Sequence, residues 1–123
     1  MTEFVEVPEA KNLKSGQMTM ARLGGNAILI ARVGDRFYAV NNTCPHMGGN
    51  LSRGALNGTI LTCPRHHSQF DISDGHVIRW TDWTGVTLSL AKLIKAPRPL
   101  KTHPVIIEGE KVLVGSEEIA ATV

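Results

Sequence analysis

The sequence has few cysteines and aromatic residues, and it lacks a long apolar run. Of 123 residues, two are cysteine and 5% are aromatic. No segment approaches the roughly 18 consecutive apolar residues that a membrane-crossing helix needs, so we expect no membrane span. Glu3 and Glu6 stand where a signal peptide would carry positive charge before a long apolar segment. Export is therefore not expected.

The charge is small and evenly spread along the chain. Thirteen Lys and Arg against eleven Asp and Glu give a formal net charge of +2. The basic residues form no run and are not interleaved with aromatic residues, so nucleic-acid binding is not expected. A length of 123 residues with 42% apolar residues suits one domain and is short for two. We therefore predict a single domain over residues 1–123.

Glycine and proline divide the chain into short segments of alternating apolar residues. Twelve Gly and six Pro occur at intervals typical of short strands joined by turns. Gly24-Gly25-Asn26 is a hairpin-turn signal between two such strands. The predicted strands are residues 4–7, 18–23, 27–33, 37–40, 59–62, 69–72, 77–78, 105–107 and 112–114. The fold class indicated is all-β.

Residues 80–100 do not follow this strand pattern. Val86, Leu90 and Ile94 fall near helical spacing, and Pro97 would stop a helix soon afterwards. The pattern indicates a short helix at best.

Two mixed pairs of cysteine and histidine are the main chemical signal. Cys44-Pro45-His46 is followed, after sixteen intervening residues, by Cys63-Pro64-Arg65-His66. If the segment between them folds back as a hairpin, all four donors converge. Thiolate and imidazole suit zinc or an iron–sulfur centre, whereas Mg²⁺ and Ca²⁺ prefer oxygen ligands.

Three interpretations of these pairs are open. Buried free cysteines with unrelated surface histidines are one, and a structural zinc module is another. The familiar zinc pattern, however, places both cysteines in one arm and both histidines in the other. Mixed arms let one iron take both cysteines and the other both histidines, which is the ligation of a Rieske [2Fe-2S] centre. Cysteines beside histidines at ligand spacing also suit a reducing compartment, so we expect a cytoplasmic protein.

The segments Cys44-Pro45-His46-Met47-Gly48 and Cys63-Pro64-Arg65-His66-His67-Ser68-Gln69-Phe70-Asp71 resemble the two cluster loops of the Rieske family. Residues 97–105 are similar to the segment with which such domains return to their base. The resemblance implies stacked antiparallel sheets with a small cluster-binding subdomain at about residues 42–79. It also implies that Cys44 and Cys63 hold the inner iron of a [2Fe-2S] cluster, and His46 and His66 the outer iron.

This chain departs from the family pattern at three places. His67 stands where the family usually has Gly, so a choice between His66 and His67 as ligand arises, and family spacing favours His66. The positions of the additional loop cysteines in membrane-complex relatives match Gly49 and Arg65, which excludes that disulfide. Ser68 keeps one hydroxyl donor to the cluster, but Phe70 replaces a Tyr. Loss of that donor should lower the reduction potential.

The resemblance implies a Rieske-type ferredoxin, a one-electron carrier between a reductase and an oxygenase or other redox enzyme. One alternative is the Rieske small subunit of a larger reductase such as nitrite reductase, and the other is a structural zinc-binding module. Rieske oxygenases add a mononuclear iron in a further domain, for which this chain has no room. We therefore expect an electron-transfer protein that acts with partner oxidoreductases and is not itself an enzyme.

Overall fold

A computed structural model describes residues 3–45, 48–65, 67–79 and 99–115. Within these ranges the regular elements are short strands and two 3-10 helices, Pro8–Ala10 and Leu51–Arg53. The strands are β1 (Phe4–Glu6), β2 (Met18–Leu23), β3 (Asn26–Val33), β4 (Arg36–Asn41), β5 (Ala55–Asn57), β6 (Ile60–Thr62), β7 (Gln69–Asp71), β8 (Val77–Arg79), β9 (Thr102–His103), β10 (Val105–Glu108) and β11 (Lys111–Gly115). The predicted all-β class is confirmed.

The strands form three antiparallel sheets. Their orders are β1-β11-β10, β2-β3-β4-β9 and β5-β6-β7-β8. Nine of the strands correspond to predicted ones, whereas β5 and β9 were not predicted. Asn26, placed in a turn by its sequence context, instead pairs with Leu23 as the first residue of β3. The two-residue turn Gly24-Gly25 therefore closes this hairpin, which is the commonest hairpin loop length.

Strand β3 is buried on both faces and separates two cores. Ile28 and Ile30 belong to one core, and Leu29 and Ala31 belong to the other. Successive side chains of a strand point to opposite faces, so each core receives alternate residues of β3. Burial on both faces explains why this strand is almost continuously apolar.

The second of these cores joins the middle sheet to the β5-β6-β7-β8 sheet. Leu61 and Phe70 enter it from β6 and β7, and Cys44 and Cys63 are part of it. Leu100 is also buried there, and its N–H donates to the carbonyl of Gly75 at 2.8 Å. The third sheet is thus held against β3 by apolar packing, with both cysteines at the junction.

Two further expectations concern helices. The predicted short helix falls in a segment of which residues 80–98 lie outside the described residues. As for membrane spans, no helix in the described ranges is both long and apolar enough to cross a bilayer.

Candidate metal centre

Both cysteines lie just beyond the end of a strand. Cys44 opens a first loop (residues 44–49) shortly after β4, and Cys63 opens a second loop (residues 63–68) directly after β6. Each cysteine is only 2% exposed, and neither forms a disulfide. The strands thus deliver two unoxidised thiols into one apolar core, which suits thiolate ligation of a metal group.

The two loops have the same backbone hydrogen-bond pattern. In the first, the Cys44 N–H donates to the Gly49 carbonyl at 2.8 Å, and the Cys44 carbonyl accepts from the Gly48 N–H at 2.9 Å. In the second, the Cys63 N–H donates to the Ser68 carbonyl at 2.8 Å, and the Cys63 carbonyl accepts from the His67 N–H at 3.2 Å. Each cysteine therefore begins a closed turn of the same size.

The turns also share a left-handed residue. Gly48 has φ of +73° and His67 has φ of +60°, each four positions after its cysteine. Glycine adopts this conformation without strain, whereas a residue with a β-carbon does so at a cost. His67 therefore replaces the family's usual glycine at the position where the turn requires a positive φ.

The first loop lies directly against the sulfur of the second. A β-carbon built on Gly49 would lie 2.6 Å from Sγ of Cys63 and 3.2 Å from Cγ and Cδ of Arg65. Only a glycine permits this approach. The contact brings the two cysteine loops together, and it places Gly49 beside Arg65, the two positions matched above to the additional loop cysteines of membrane-complex relatives.

Side-chain amides close the base of the first loop. The Asn42 amide nitrogen donates to Oδ1 of Asn50, and Oδ1 of Asn42 accepts from the Ser52 N–H at 2.9 Å. Asn42 is 5% exposed, and its backbone carbonyl accepts from the Leu51 N–H. Sequence reasoning missed this clamp. An Asn just after a strand is a weak signal, because many turns contain one.

Ser68 and Phe70 are both fully buried beside the cysteines. Ser68 ends the second loop, and Phe70 packs in the same core as Cys44 and Cys63. The pairing of Leu61 with Phe70 across β6 and β7 fixes the ring beneath the loop. An apolar ring in this core adds to its apolar character and offers no hydrogen bond.

Of the predicted ligands, the structure describes the two cysteines. His46 and His66 lie outside the described residues, as does Met47. His67 is exposed, and its carbonyl accepts two hydrogen bonds from Arg79. The choice between His66 and His67 therefore stays a prediction.

The remaining histidines make other contacts. His103 is 6% exposed, and its ring nitrogens lie 3.1 Å from the Gly115 carbonyl and 2.8 Å from Oδ1 of Asn41. His76 pairs with Asp74 in the turn before β8, at 2.5 Å between Nδ1 and Oδ1. Hydrogen bonds from the His76 backbone N–H and then its side chain lower the pKa of the Asp74 carboxyl below its ordinary value.

Comparison with known proteins identifies the group that such a site holds. The family model of the Rieske [2Fe-2S] domain matches residues 3–93. The ferredoxin component of biphenyl 2,3-dioxygenase from Rhodococcus jostii is 32% identical over 114 residues, which cover 93% of this chain and 94% of that protein.

Solved structures are similar over nearly the whole chain. The ferredoxin of carbazole 1,9a-dioxygenase from Nocardioides aromaticivorans is 25% identical, with a TM-score of 0.73 over 90% of this chain and 95% of that one. A chain from a complex of reduced oxygenase and oxidised ferredoxin in carbazole 1,9a-dioxygenase is 26% identical, with a TM-score of 0.74 over 94% and 95% of the two chains. The buried cysteine pair suits the cofactor of these proteins. This chain therefore belongs to the Rieske [2Fe-2S] domain family, and its cofactor is a two-iron, two-sulfur cluster.

Proposed function

We propose that this chain is the ferredoxin of an oxygenase system and passes single electrons from a reductase to an oxygenase. The observation that carries the proposal is the pair of matched cysteine loops in a domain that aligns over nearly its full length with ferredoxin components. One solved relative comes from a complex of a ferredoxin with an oxygenase. A carrier of this size meets its partners through small, transient contacts.

We further propose the ligand set. Cys44 and Cys63 bind the inner iron, and His46 and His66 bind the outer iron. Burial of both thiols in one core and the contact between Gly49 and Cys63 support the inner assignment. The spacing of the two motifs supports the outer one. Ser68 is proposed as a hydroxyl donor to a cluster sulfur because it is fully buried at the end of the second loop.

The bound cluster supplies reversible one-electron transfer, and the protein tunes how readily it occurs. Two imidazoles in place of two thiolates make such a centre less negative and easier to reduce than an all-cysteine one. The Ser68 hydroxyl stabilises the additional negative charge of the reduced state, whereas Phe70 donates no hydrogen bond. A potential below the top of the Rieske range, about −150 to +300 mV, follows.

Several finer assignments belong to the same proposal. We assign no catalytic residue to this chain, which acts with partner oxidoreductases. The chain forms one domain over residues 1–123, with a cluster-binding subdomain of about residues 42–79. A cytoplasmic location is supported by two cysteines that form no disulfide and whose proposed role requires the reduced thiol.

Reconstitution with iron and sulfide under anaerobic conditions tests the proposal. The expected product is coloured, takes up one electron per chain in coulometry and gives an EPR signal on reduction. Cys63→Ser should abolish all three, while Ser73→Ala in the distant turn before β8 should leave them intact. A colourless product, or one that accepts no electron, would contradict the proposal.

Size-exclusion chromatography of the same protein separates a free carrier from a fixed subunit. The free carrier should purify alone and, when a reductase re-reduces it, should pass electrons to an added Rieske oxygenase over many turnovers. Stoichiometric copurification with a large reductase would instead identify a tightly held subunit.

A further inference from the structure

The turn of the second loop is strained at His67. Among the described residues, it is the only non-glycine residue with a positive φ. Its position is equivalent to that of Gly48 in the first loop, where glycine meets the same demand without cost. A β-carbon in this region crowds the backbone, so the surrounding structure must hold the residue there.

Arg79 supplies a contact that can hold it. Nε of Arg79 lies 3.1 Å from the carbonyl oxygen of His67, and Nη2 lies 3.0 Å from the same oxygen. The planar guanidinium makes this two-pronged donation, which a lysine ammonium does not reproduce. Because Arg79 lies at the end of β8, paired with Gln69 of β7, the contact ties the turn to the sheet.

The strained peptide is therefore held from both sides. The N–H of His67 donates to the carbonyl of Cys63, and its carbonyl accepts from Arg79. Loss of either contact removes one of the restraints on φ of His67, and the strain then favours rotation toward the ordinary negative region. That rotation moves the peptide unit on the N-terminal side of His67 and opens the turn that starts at Cys63.

We propose that Arg79 is a positioning residue for the cluster: by holding the His67 carbonyl, it keeps the second loop in the turn from which Cys63 and His66 bind iron. The inference rests on the ligand set proposed above. Arg79 itself touches neither iron nor sulfur in this role, and its effect passes through the backbone of His67.

The test compares Arg79→Gln with Arg53→Gln. Arg53 is an exposed arginine in the 3-10 helix before β5, so its replacement removes an equal charge from the same region without touching His67. Arg79→Gln should lose its cluster absorbance to a chelator about five- to tenfold faster than the wild type, the scale of losing one ordinary hydrogen bond. Its EPR signal should broaden. Arg53→Gln should match the wild type in both measurements, and Arg79→Lys should fall between them.

A double variant tests whether Arg79 acts on the second loop through His67. His67→Gly removes the strain, so adding Arg79→Gln to it should accelerate cluster loss by less than about twofold. Equal acceleration in both backgrounds, or no acceleration in the single variant, would overturn the inference.

Hydrogen exchange on the cluster-free protein tests the role of Arg79 independently of the proposed function. In Arg79→Gln the amides of Cys63 and His67 should lose protection, while those of Cys44 and Gly48 in the first loop keep theirs. Unchanged protection in the second loop would refute the role of Arg79, whether or not the wild type binds a cluster. A colourless wild type with the expected exchange pattern would refute only the proposed function.

Discussion

Gly49 and Cys63 meet where the two cysteine loops converge, with 2.6 Å between Sγ of Cys63 and the site of a β-carbon on Gly49. Real β-carbons do not approach a sulfur so closely, so any side chain at Gly49 pushes the loops apart.

Gly49→Ala should therefore impair cluster binding and destabilise the protein by about 1–3 kcal/mol, the usual cost of overpacking. Chelator-driven loss of absorbance and chemical denaturation measure the two effects. Gly58→Ala is the control, since a β-carbon at Gly58 meets nothing within 4 Å. Because φ at this position is positive, the alanine should lower the free energy of unfolding by about 1 kcal/mol or less. Cluster retention should stay unchanged. Retention by Gly49→Ala equal to that of the wild type would contradict the close contact.

Phe70→Tyr should raise the reduction potential. Phe70 is fully buried in the same core as both cysteines, and the family resemblance places a Tyr hydroxyl near the cluster sulfurs at this position. One hydrogen bond of about 0.5–1.5 kcal/mol to the reduced state corresponds to a rise of about 20–60 mV for a one-electron couple. Potentiometry measures the shift, and Phe37→Tyr in the other core should produce none. An unchanged potential in Phe70→Tyr would show that the hydroxyl does not reach a sulfur.

Asn42→Ala should loosen the first loop. Its buried side chain joins Asn50 to the Ser52 backbone, so removing it breaks two hydrogen bonds, although Oδ1 of Asn50 keeps the Ser52 hydroxyl as a donor. The expected loss is about 1–3 kcal/mol of unfolding free energy, measured by urea denaturation. Asn57→Ala, at an exposed position of β5, should change stability by less than about 0.5 kcal/mol. Equal effects of the two substitutions would contradict the clamp.

Asp74 should contribute a pH-dependent part of the stability. Hydrogen bonds from His76 lower the pKa of its carboxyl in the folded state below the ordinary 3.8. A lowered carboxyl pKa stabilises the fold at pH values above the ordinary one, and the contribution disappears as pH falls through the folded-state value. At pH 6 the midpoint temperature of thermal unfolding should be higher for the wild type than for Asp74→Asn. This difference in midpoint temperature should shrink below pH 3.8. A difference that grows on acidification would contradict this assignment.

The strands were predictable wherever local patterning was strong. β2 was predicted with its observed bounds, Met18–Leu23, and the all-β class followed from turns at regular intervals. β9 was missed because its two residues, Thr102–His103, carry no alternation, and β5 (Ala55–Asn57) because it has one large apolar residue where β6 and β8 each have two in a row. In the fold, β5 pairs with β6 and β9 pairs with β4. A pattern read from neighbouring residues does not include these partner strands.

The nature of the metal centre was also readable from residue types and spacing. Mixed Cys and His pairs predicted a [2Fe-2S] cluster, because ligand chemistry depends on which atoms are present and on how far apart the chain places them. The contacts that shape the site were not readable in this way. Asn42 with Asn50, and Arg79 with His67, are polar pairs whose geometry is created by folding.

The amino-acid order specifies most of the strands and turns, and it predicts the sulfur and nitrogen donors, since these depend on neighbours a few positions apart. Packing of the β5-β6-β7-β8 sheet on β3 decides the contacts that shape the site. It determines that position 49, beside Cys63, must be glycine, and that Arg79 holds the strained turn at His67. Those relationships join residues 12 to 14 positions apart, and they exist only once the sheets are stacked.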